Sequence, residues 1–199
     1  MRCLLAVFAV AAALGTPAAA GPLEDGTTAY HEQAYAKAAD LWRPLAEKGD
    51  ARAQYFLGAL YADGQGVQQN DATAFMWFER AANQGNAAAQ YNVGVSYAAG
   101  TGVARSDAGA ARWFQRAADQ GMAFAQLNLG LLYAAGNGVP QDNIEAFKWL
   151  ELAFSGLPAG GPRMDAANAM VELAARMTTE QKYEAKRRER DWKAVPETR

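Results

Sequence analysis

Three consecutive blocks of 36 residues, 51–86, 87–122 and 123–158, align with one another without a gap. Twelve of the 36 positions hold the same residue in all three blocks. A period of this length is typical of solenoid proteins, in which each repeat packs only against its neighbours. The sequence therefore predicts a linear stack of similar units, an architecture that presents long surfaces and usually binds other proteins.

Each block predicts two helices joined by a glycine-containing turn. In the first block, Ala53, Leu57 and Leu60 have the spacing of one face of a helix. A Gly-x-Gly-Val turn follows, and its first glycine is placed to end the helix in a left-handed conformation. The second helix should begin at residues that commonly cap helix N-termini, namely Asn70, Ser106 and Asp142.

A glycine lies inside the first helix of every block, at Gly58, Gly94 and Gly130. Glycine in a helix interior costs about 1 kcal/mol relative to alanine, so its repetition predicts a packing reason. We expect the second helix of the block to approach the backbone closely at this point. That helix supplies small residues there, namely Ala74, Ala110 and Ala146.

These positions resemble the Sel1-like repeat, a relative of the tetratricopeptide repeat. The matching runs are AxAQYxLGxLYxxGxGV and AxxWFxxAAxQG, and full matches cover residues 51–158. The resemblance implies an all-α fold, a right-handed α-solenoid of helix-turn-helix repeats. The third block departs at its end, where Leu157 replaces the glycine of the first two blocks, which indicates that the array stops there.

The segments on either side predict caps. Residues 29–50 align with the second half of a repeat whose first helix is missing, so 21–50 is predicted to be a linker and a half-repeat cap. Pro44 lies inside this segment and is expected to kink or interrupt the helix.

Residues 159–193 predict two capping helices, whose charged residues would face solvent at the end of the stack. A tail, 194–199, follows.

Residues 1–20 have the pattern of a secretory signal peptide. Arg2 precedes an apolar stretch of about a dozen residues, and Ala18 to Ala20 form an A-x-A cleavage site. An uncleaved anchor is the alternative. The only cysteine, Cys3, lies in this segment, so the mature chain would have no disulfide. We expect a periplasmic protein without stable membrane insertion after cleavage, and the formal net charge of −2 argues against a nucleic-acid partner.

The residues that usually perform catalysis or bind metals are sparse. His31 is the single histidine, and no HxxxH or CxxC spacing occurs. The serines lack an SxxK or GxSxG context, and the turn glycines lack the remainder of a phosphate-binding loop. The sequence therefore predicts no catalytic residues, no metal site and no cofactor.

The resemblance to tetratricopeptide-like repeats implies that the first helix of each unit lines a concave face. Its inward positions would be the second, fifth, sixth and ninth of each block. Partner-binding residues predicted in this way are Arg52, Tyr55, Tyr91, Asn92, Val95, Phe124, Leu127, Asn128 and Leu131. The alternative for these tyrosines is packing between helices, and for the asparagines simple solvation.

The predicted function is a non-catalytic periplasmic scaffold or adaptor that binds another protein or peptide. The resemblance implies roles such as regulating a membrane sensor or supporting cell-envelope assembly. The alternative is a peptidoglycan-associated protein or a β-lactamase-like enzyme. Secreted relatives of that enzymatic kind carry a disulfide in each repeat, whereas this chain would have none and has no serine–lysine nucleophile pair.

Overall fold

The computed structural model describes residues 21–196, which form ten α-helices and no strand. The helices are α1 (Pro22–His31), α2 (Tyr35–Glu47), α3 (Ala51–Asp63), α4 (Asp71–Asn83), α5 (Ala87–Ala99), α6 (Asp107–Asp119), α7 (Ala123–Ala135), α8 (Asn143–Gly156), α9 (Gly161–Arg176) and α10 (Thr179–Asp191). From α1 to α9 each helix packs against the next one along the chain. The predicted all-α solenoid of helix-turn-helix repeats is confirmed.

The three 36-residue blocks form the pairs α3–α4, α5–α6 and α7–α8. We call the first helix of each pair helix A and the second helix B. The predicted caps of helix B are confirmed, since each cap side chain accepts a hydrogen bond from a backbone N–H of the first turn. These side chains belong to Asn70, Ser106 and Asp142. The first turn glycine ends helix A in a left-handed conformation, at Gly64, Gly100 and Gly136.

The second turn glycine joins one unit to the preceding one. Gly102 has a φ of +72°, and a Cβ built on it would collide with the backbone carbonyl of Asp71 at the start of α4. Gly138 lies in the same way against Asp107 at the start of α6. Two requirements therefore select glycine here, a positive φ and the absence of a side chain at the unit–unit contact.

The helix-interior glycines do mark a close approach of helix B, as predicted. A Cβ on Gly94 would lie 2.6 Å from the ring of Phe114 on α6. Phe78 has the same place over Gly58, and Leu150 has it over Gly130. The approaching group is therefore mainly this large side chain, rather than the small residues that the sequence suggested.

A buried glutamine at the fourth position of each block connects successive units. The side chain of Gln54 donates to the carbonyl of Ala46 at the end of α2, at 3.0 Å. Gln90 donates to Ala82 at the end of α4, at 3.2 Å, and Gln126 donates to Ala118 at the end of α6, at 3.3 Å. The sequence interpretation assigned these glutamines no role, although their invariance within the AxAQ run was the available signal.

The prediction that the N-terminal unit lacks its first helix is wrong. The helix α1 packs on α2, and the indole Nε1 of Trp42 donates to the carbonyl of Leu23 at 3.2 Å. Gly26 lies directly under the Trp42 ring, as Gly58 lies under Phe78. Of the two effects predicted for Pro44, a kink or an interruption, the interruption does not occur, because Pro44 is in the last turn of α2, which continues to Glu47.

The C-terminal end departs from the repeat. The helix α9 packs against α8 and α7, in the place of another helix A, whereas α10 packs against α8. The chain after α10 continues to the end of α6, where the backbone N–H of Val195 donates to the carbonyl of Asp119 at 2.8 Å. Trp192 meets Trp149 edge to face on the way, with ring centroids 6.1 Å apart. We call residues 192–196 the C-terminal strap.

Candidate protein-interaction surface

The residues predicted to bind a partner come from one side of the A helices. Repeat positions 2, 5, 6 and 9 fall within an arc of about 100° on a helix. Positions 3, 7 and 8 lie elsewhere on the helix and are buried in all three blocks. We call the side formed by positions 2, 5, 6 and 9 of α3, α5 and α7 the A-helix surface.

Three apolar side chains on this surface remain substantially exposed. Val95 on α5 and Phe124 and Leu131 on α7 each retain 39% of their accessible area. The ring centroids of Phe124 and Tyr91 are 6.3 Å apart, so the surfaces of α5 and α7 meet at these two side chains. Exposed apolar residues grouped in this way are typical of protein-interaction sites.

The two tyrosines of the predicted site are anchored in the core as well as reaching the surface. Tyr91 packs against Phe114, with ring centroids 5.8 Å apart, and Tyr55 packs against Phe78 at 5.9 Å. Both rings are half-buried, which agrees with the alternative that they pack between helices. Burial raises the pKa of the Tyr55 hydroxyl, so this side chain stays neutral near pH 7.

Leu127 does not belong to the exposed site, contrary to prediction. Its side chain is 7% exposed and lies in the C-terminal hydrophobic cluster with Leu150 and Ala166. Its neighbours in this cluster come from α8 and from α9, which packs against α7 and α8. In the first two units the equivalent residues are Tyr55 and Tyr91, which reach the surface.

The asparagines of the predicted site differ in their environment. The amide of Asn128 donates to the backbone carbonyl of Phe124, one turn earlier, at 3.0 Å. Its side-chain oxygen has no donor among residues 21–196. Asn92 is half-buried, and within the described chain its side chain makes no hydrogen bond. Both side chains therefore offer polar groups between the apolar residues of the A-helix surface.

Arg52 supplies a positive charge at the N-terminal end of the surface. Its side chain is 62% exposed, and its guanidinium lies 4.0 Å from the carboxylate of Glu24 on α1. A contact of this length between exposed groups is weak. Arg52 can therefore turn toward a partner at little energetic cost.

Chemically reactive groups do not converge on this surface. His31 is exposed at the end of α1, where it lies edge to face with Tyr30. Within residues 21–196, no three His, Cys, Asp or Glu side chains come together as a metal site requires.

No helix between residues 21 and 196 combines the length and apolar character needed to cross a bilayer. The predicted signal peptide, 1–20, lies outside the described residues.

Comparison with known proteins agrees with this architecture. The model described as "Sel1 repeat" matches residues 51–86, 87–122 and 123–156, just over half of the chain. A Sel1 repeat protein from Oxalobacter formigenes is similar in structure, with a TM-score of 0.69 and 28% identity over 82% of this chain. The protective antigen c5321 of uropathogenic Escherichia coli strains, which displays an SLR fold, gives a TM-score of 0.58 and 25% identity over 86% of this chain.

These two structures are of longer proteins. The aligned region covers 62% of the Oxalobacter formigenes chain and 44% of the Escherichia coli chain. A comparison with curated proteins gives no match.

Proposed function

The chain belongs to the Sel1 repeat family, and from this we propose that it is a non-catalytic scaffold of the periplasm that binds a segment of another protein on its A-helix surface. Sel1 repeat proteins generally mediate protein–protein interactions. The single observation that carries the proposal for this chain is the patch of Val95, Phe124 and Leu131, apolar side chains exposed at 39% on adjacent A helices.

The chemistry of the surface favours an extended or helical segment with apolar anchors. Phe124 and Leu131 lie seven residues apart on α7, two helical turns, so they can receive two anchors of one segment. Asn92 and Asn128 lie between the apolar side chains and would hydrogen-bond backbone groups of that segment. Aromatic contacts at Tyr91 and Phe124 would then contribute most of the binding energy.

Location in the periplasm is the second part of the proposal, and the pattern of residues 1–20 supports it. The test is the intact mass of protein expressed from the full-length gene and recovered from a periplasmic extract. A chain beginning at Gly21 is expected. A full-length chain that stays with the membrane would support an uncleaved anchor, and a full-length chain in the cytoplasm would contradict export.

The binding site is tested by comparing two variants that introduce the same charge. Leu131→Glu places a carboxylate in the A-helix surface, and Ala72→Glu places one at an exposed position of α4. Each purified protein is used to retain partners from crosslinked envelope extract, which are then identified by mass spectrometry. Both variants should keep the helical circular dichroism of the wild type.

We expect a protein that the wild type and Ala72→Glu retain and that Leu131→Glu loses. Equal retention by Leu131→Glu would contradict binding at the A-helix surface. Recovery of muropeptides with no retained protein would contradict the scaffold proposal and favour a cell-wall ligand. Because the variants differ only in position, a loss caused by charge alone would appear in both.

A further inference from the structure

The contact between successive units is filled differently at each junction. At the junction of α4 and α5, Phe75 packs edge to face on Tyr97, with ring centroids 5.5 Å apart and an interplanar angle of 89°. One repeat later, Tyr133 occupies the place of Tyr97, but Ala111 stands where Phe75 would be. The ring of Tyr133 therefore lacks the aromatic cover that Tyr97 has.

The missing ring leaves a cavity between α6 and α7. Its volume is about 520 Å³, and its apolar walls include Ala108, Ala111, Leu129, Tyr133 and Val139. Ligand pockets in proteins generally have volumes of about 300–1,000 Å³, and most of their lining is apolar. The cavity is therefore large enough and apolar enough to bind a side chain larger than alanine.

A second way of covering the repeat tyrosine is also absent at the junction of α6 and α7. At the junction of α2 and α3, the residue equivalent to Ala111 is Ala39, and the guanidinium of Arg43 donates to the hydroxyl of Tyr61 at 3.1 Å. The residue equivalent to Arg43 is Gln115. Its amide instead donates to the carboxylate of Asp119, at 2.8 Å. Within the described residues, no aromatic ring therefore packs on Tyr133 and no side chain hydrogen-bonds its hydroxyl, although Gln115 and Arg116 also line the cavity.

The charges around the cavity are unevenly distributed. Arg112 lies on its rim, is exposed, and makes no salt bridge within the described part of the chain. The carboxylates of Glu145, Asp142 and Asp119 act on the Tyr133 hydroxyl, whose pKa is raised mainly by burial and further by these charges. A ligand carboxylate would be attracted to the α6 side of the cavity, which the guanidinium of Arg112 lines together with that of Arg116.

We propose that this pocket binds an aromatic side chain of a partner polypeptide in which an acidic residue adjoins the aromatic one. The ring takes the place over Tyr133 that Phe75 has over Tyr97, and the neighbouring carboxylate pairs with Arg112. Leu129 and Tyr133 leave α7 on the side opposite Leu131, because they lie about 160° from it around the helix. The pocket is therefore separate from the A-helix surface, and its test does not depend on the function proposed for that surface.

The experiment is a titration of the isotope-labelled protein with short peptides, followed by amide NMR shifts. The probe is acetyl-Glu-Phe-amide, and the matched controls are acetyl-Glu-Ala-amide and acetyl-Lys-Phe-amide. We expect saturable shifts at Tyr133, Gly138 and Val139 with the probe, and at least about tenfold weaker binding of both controls, since tenfold corresponds to about 1.4 kcal/mol.

The matched variant is Ala111→Phe, which restores the ring found at Phe75 and should fill the pocket. It is expected to weaken probe binding at least about tenfold while preserving helicity. If the phenylalanine disturbs the fold, the smaller substitution Ala111→Leu replaces it and should also weaken probe binding. Arg112→Gln should remove the preference for Glu-Phe over Lys-Phe. Undiminished binding by both Ala111 variants, equal binding of the Glu-Ala peptide, or no saturable shift in the wild type would overturn the proposal.

Discussion

The side-chain amide of Gln84 at the end of α4 donates a hydrogen bond of 2.6 Å to the side-chain oxygen of Gln54 on α3. Gln54 in turn donates to the carbonyl of Ala46 on α2, so one polar chain runs through three consecutive helices. Gln120 and Gln90 form the same bond in the next unit, at 2.8 Å. The third unit has Gly156 instead of this second glutamine, and the series stops where the regular stack stops.

We predict that Gln90→Ala lowers the free energy of unfolding by about 1–3 kcal/mol. The side chain is fully buried, and its removal leaves a cavity and takes one hydrogen bond from each of its partners, Ala82 and Gln120. Chemical denaturation followed by circular dichroism measures the change. The control is Gln68→Ala at an exposed loop position, which should change stability by less than about 0.5 kcal/mol. Equal effects of the two substitutions would mean that the buried bonds contribute nothing.

A side chain at Gly94 should destabilise the stack. The Cβ of Gly94→Ala would lie 2.6 Å from the Phe114 ring, and Gly94→Val would add two further methyl groups. Overpacking of this kind typically costs about 1–3 kcal/mol, so we expect a fall of several degrees in Tm, larger for valine. Gly161→Ala is the control, because nothing lies within 4 Å of its added Cβ. A Tm for Gly94→Val within one degree of the wild type would contradict the close contact.

The C-terminal strap should protect Trp149 from solvent. Trp149 is 2% exposed and faces Trp192 across the strap contact. Trp192→Ala is expected to release the strap, lower stability by about 1–3 kcal/mol and increase quenching of tryptophan fluorescence by acrylamide. Val195→Ala is the control, since the side chain is 65% exposed and the bond to Asp119 uses the backbone. If Trp192→Ala leaves quenching per tryptophan unchanged, the strap does not cover Trp149.

The stability of α10 should depend on acid pH through Glu184. Hydrogen bonds from Arg187 and Arg188 lower the pKa of Glu184 to about 2. Because this folded-state pKa lies below the ordinary value near 4.3, its stabilising contribution is complete above about pH 4.3. That contribution is lost as the pH falls through 2.

The measurement is amide hydrogen exchange in α10 as a function of pH, corrected for the intrinsic rate. The wild type should lose protection between about pH 4 and 2, whereas Glu184→Gln should already be less protected above pH 4 and should lose much less protection over that interval. Hydrogen bonds from the backbone and from Thr178 also lower the pKa of Glu180 in the first turn, so the control is Glu189→Gln, nearer the end of the same helix. If the loss of protection between pH 4 and 2 is undiminished in Glu184→Gln, a titrating group other than Glu184 causes it.

The regular part of the fold was predictable because every unit repeats the same local signals. The cap at Asn70 and the turn glycine Gly64 recur at a period of 36 residues, so a single alignment locates six helices. The helix α1 was missed because its ten residues share little with the AxAQY run. The sequence nevertheless indicates a helix start there, because a proline at the first position is followed by Glu24 and Asp25 in the first turn.

The errors at the surface come from contacts between segments that are distant in the sequence. Leu127 occupies a position that holds a half-exposed tyrosine in the first two units, and it is buried in a cluster formed with residues of α8 and α9. The cavity over Tyr133 requires two facts together, Ala111 in place of Phe75 and the turn of Gln115 toward Asp119. The first is visible in the alignment, whereas the second depends on a side-chain conformation.

Site-specific photocrosslinking in living cells can show whether a partner binds the A-helix surface. A photoreactive amino acid replaces Leu131 on the A-helix surface in one strain, and Ala72 on α4 in another. We predict a discrete crosslinked adduct with one envelope protein from position 131 and none from position 72. The same adduct from both positions, or no adduct from position 131 when the protein is folded and exported, would contradict binding at the A-helix surface.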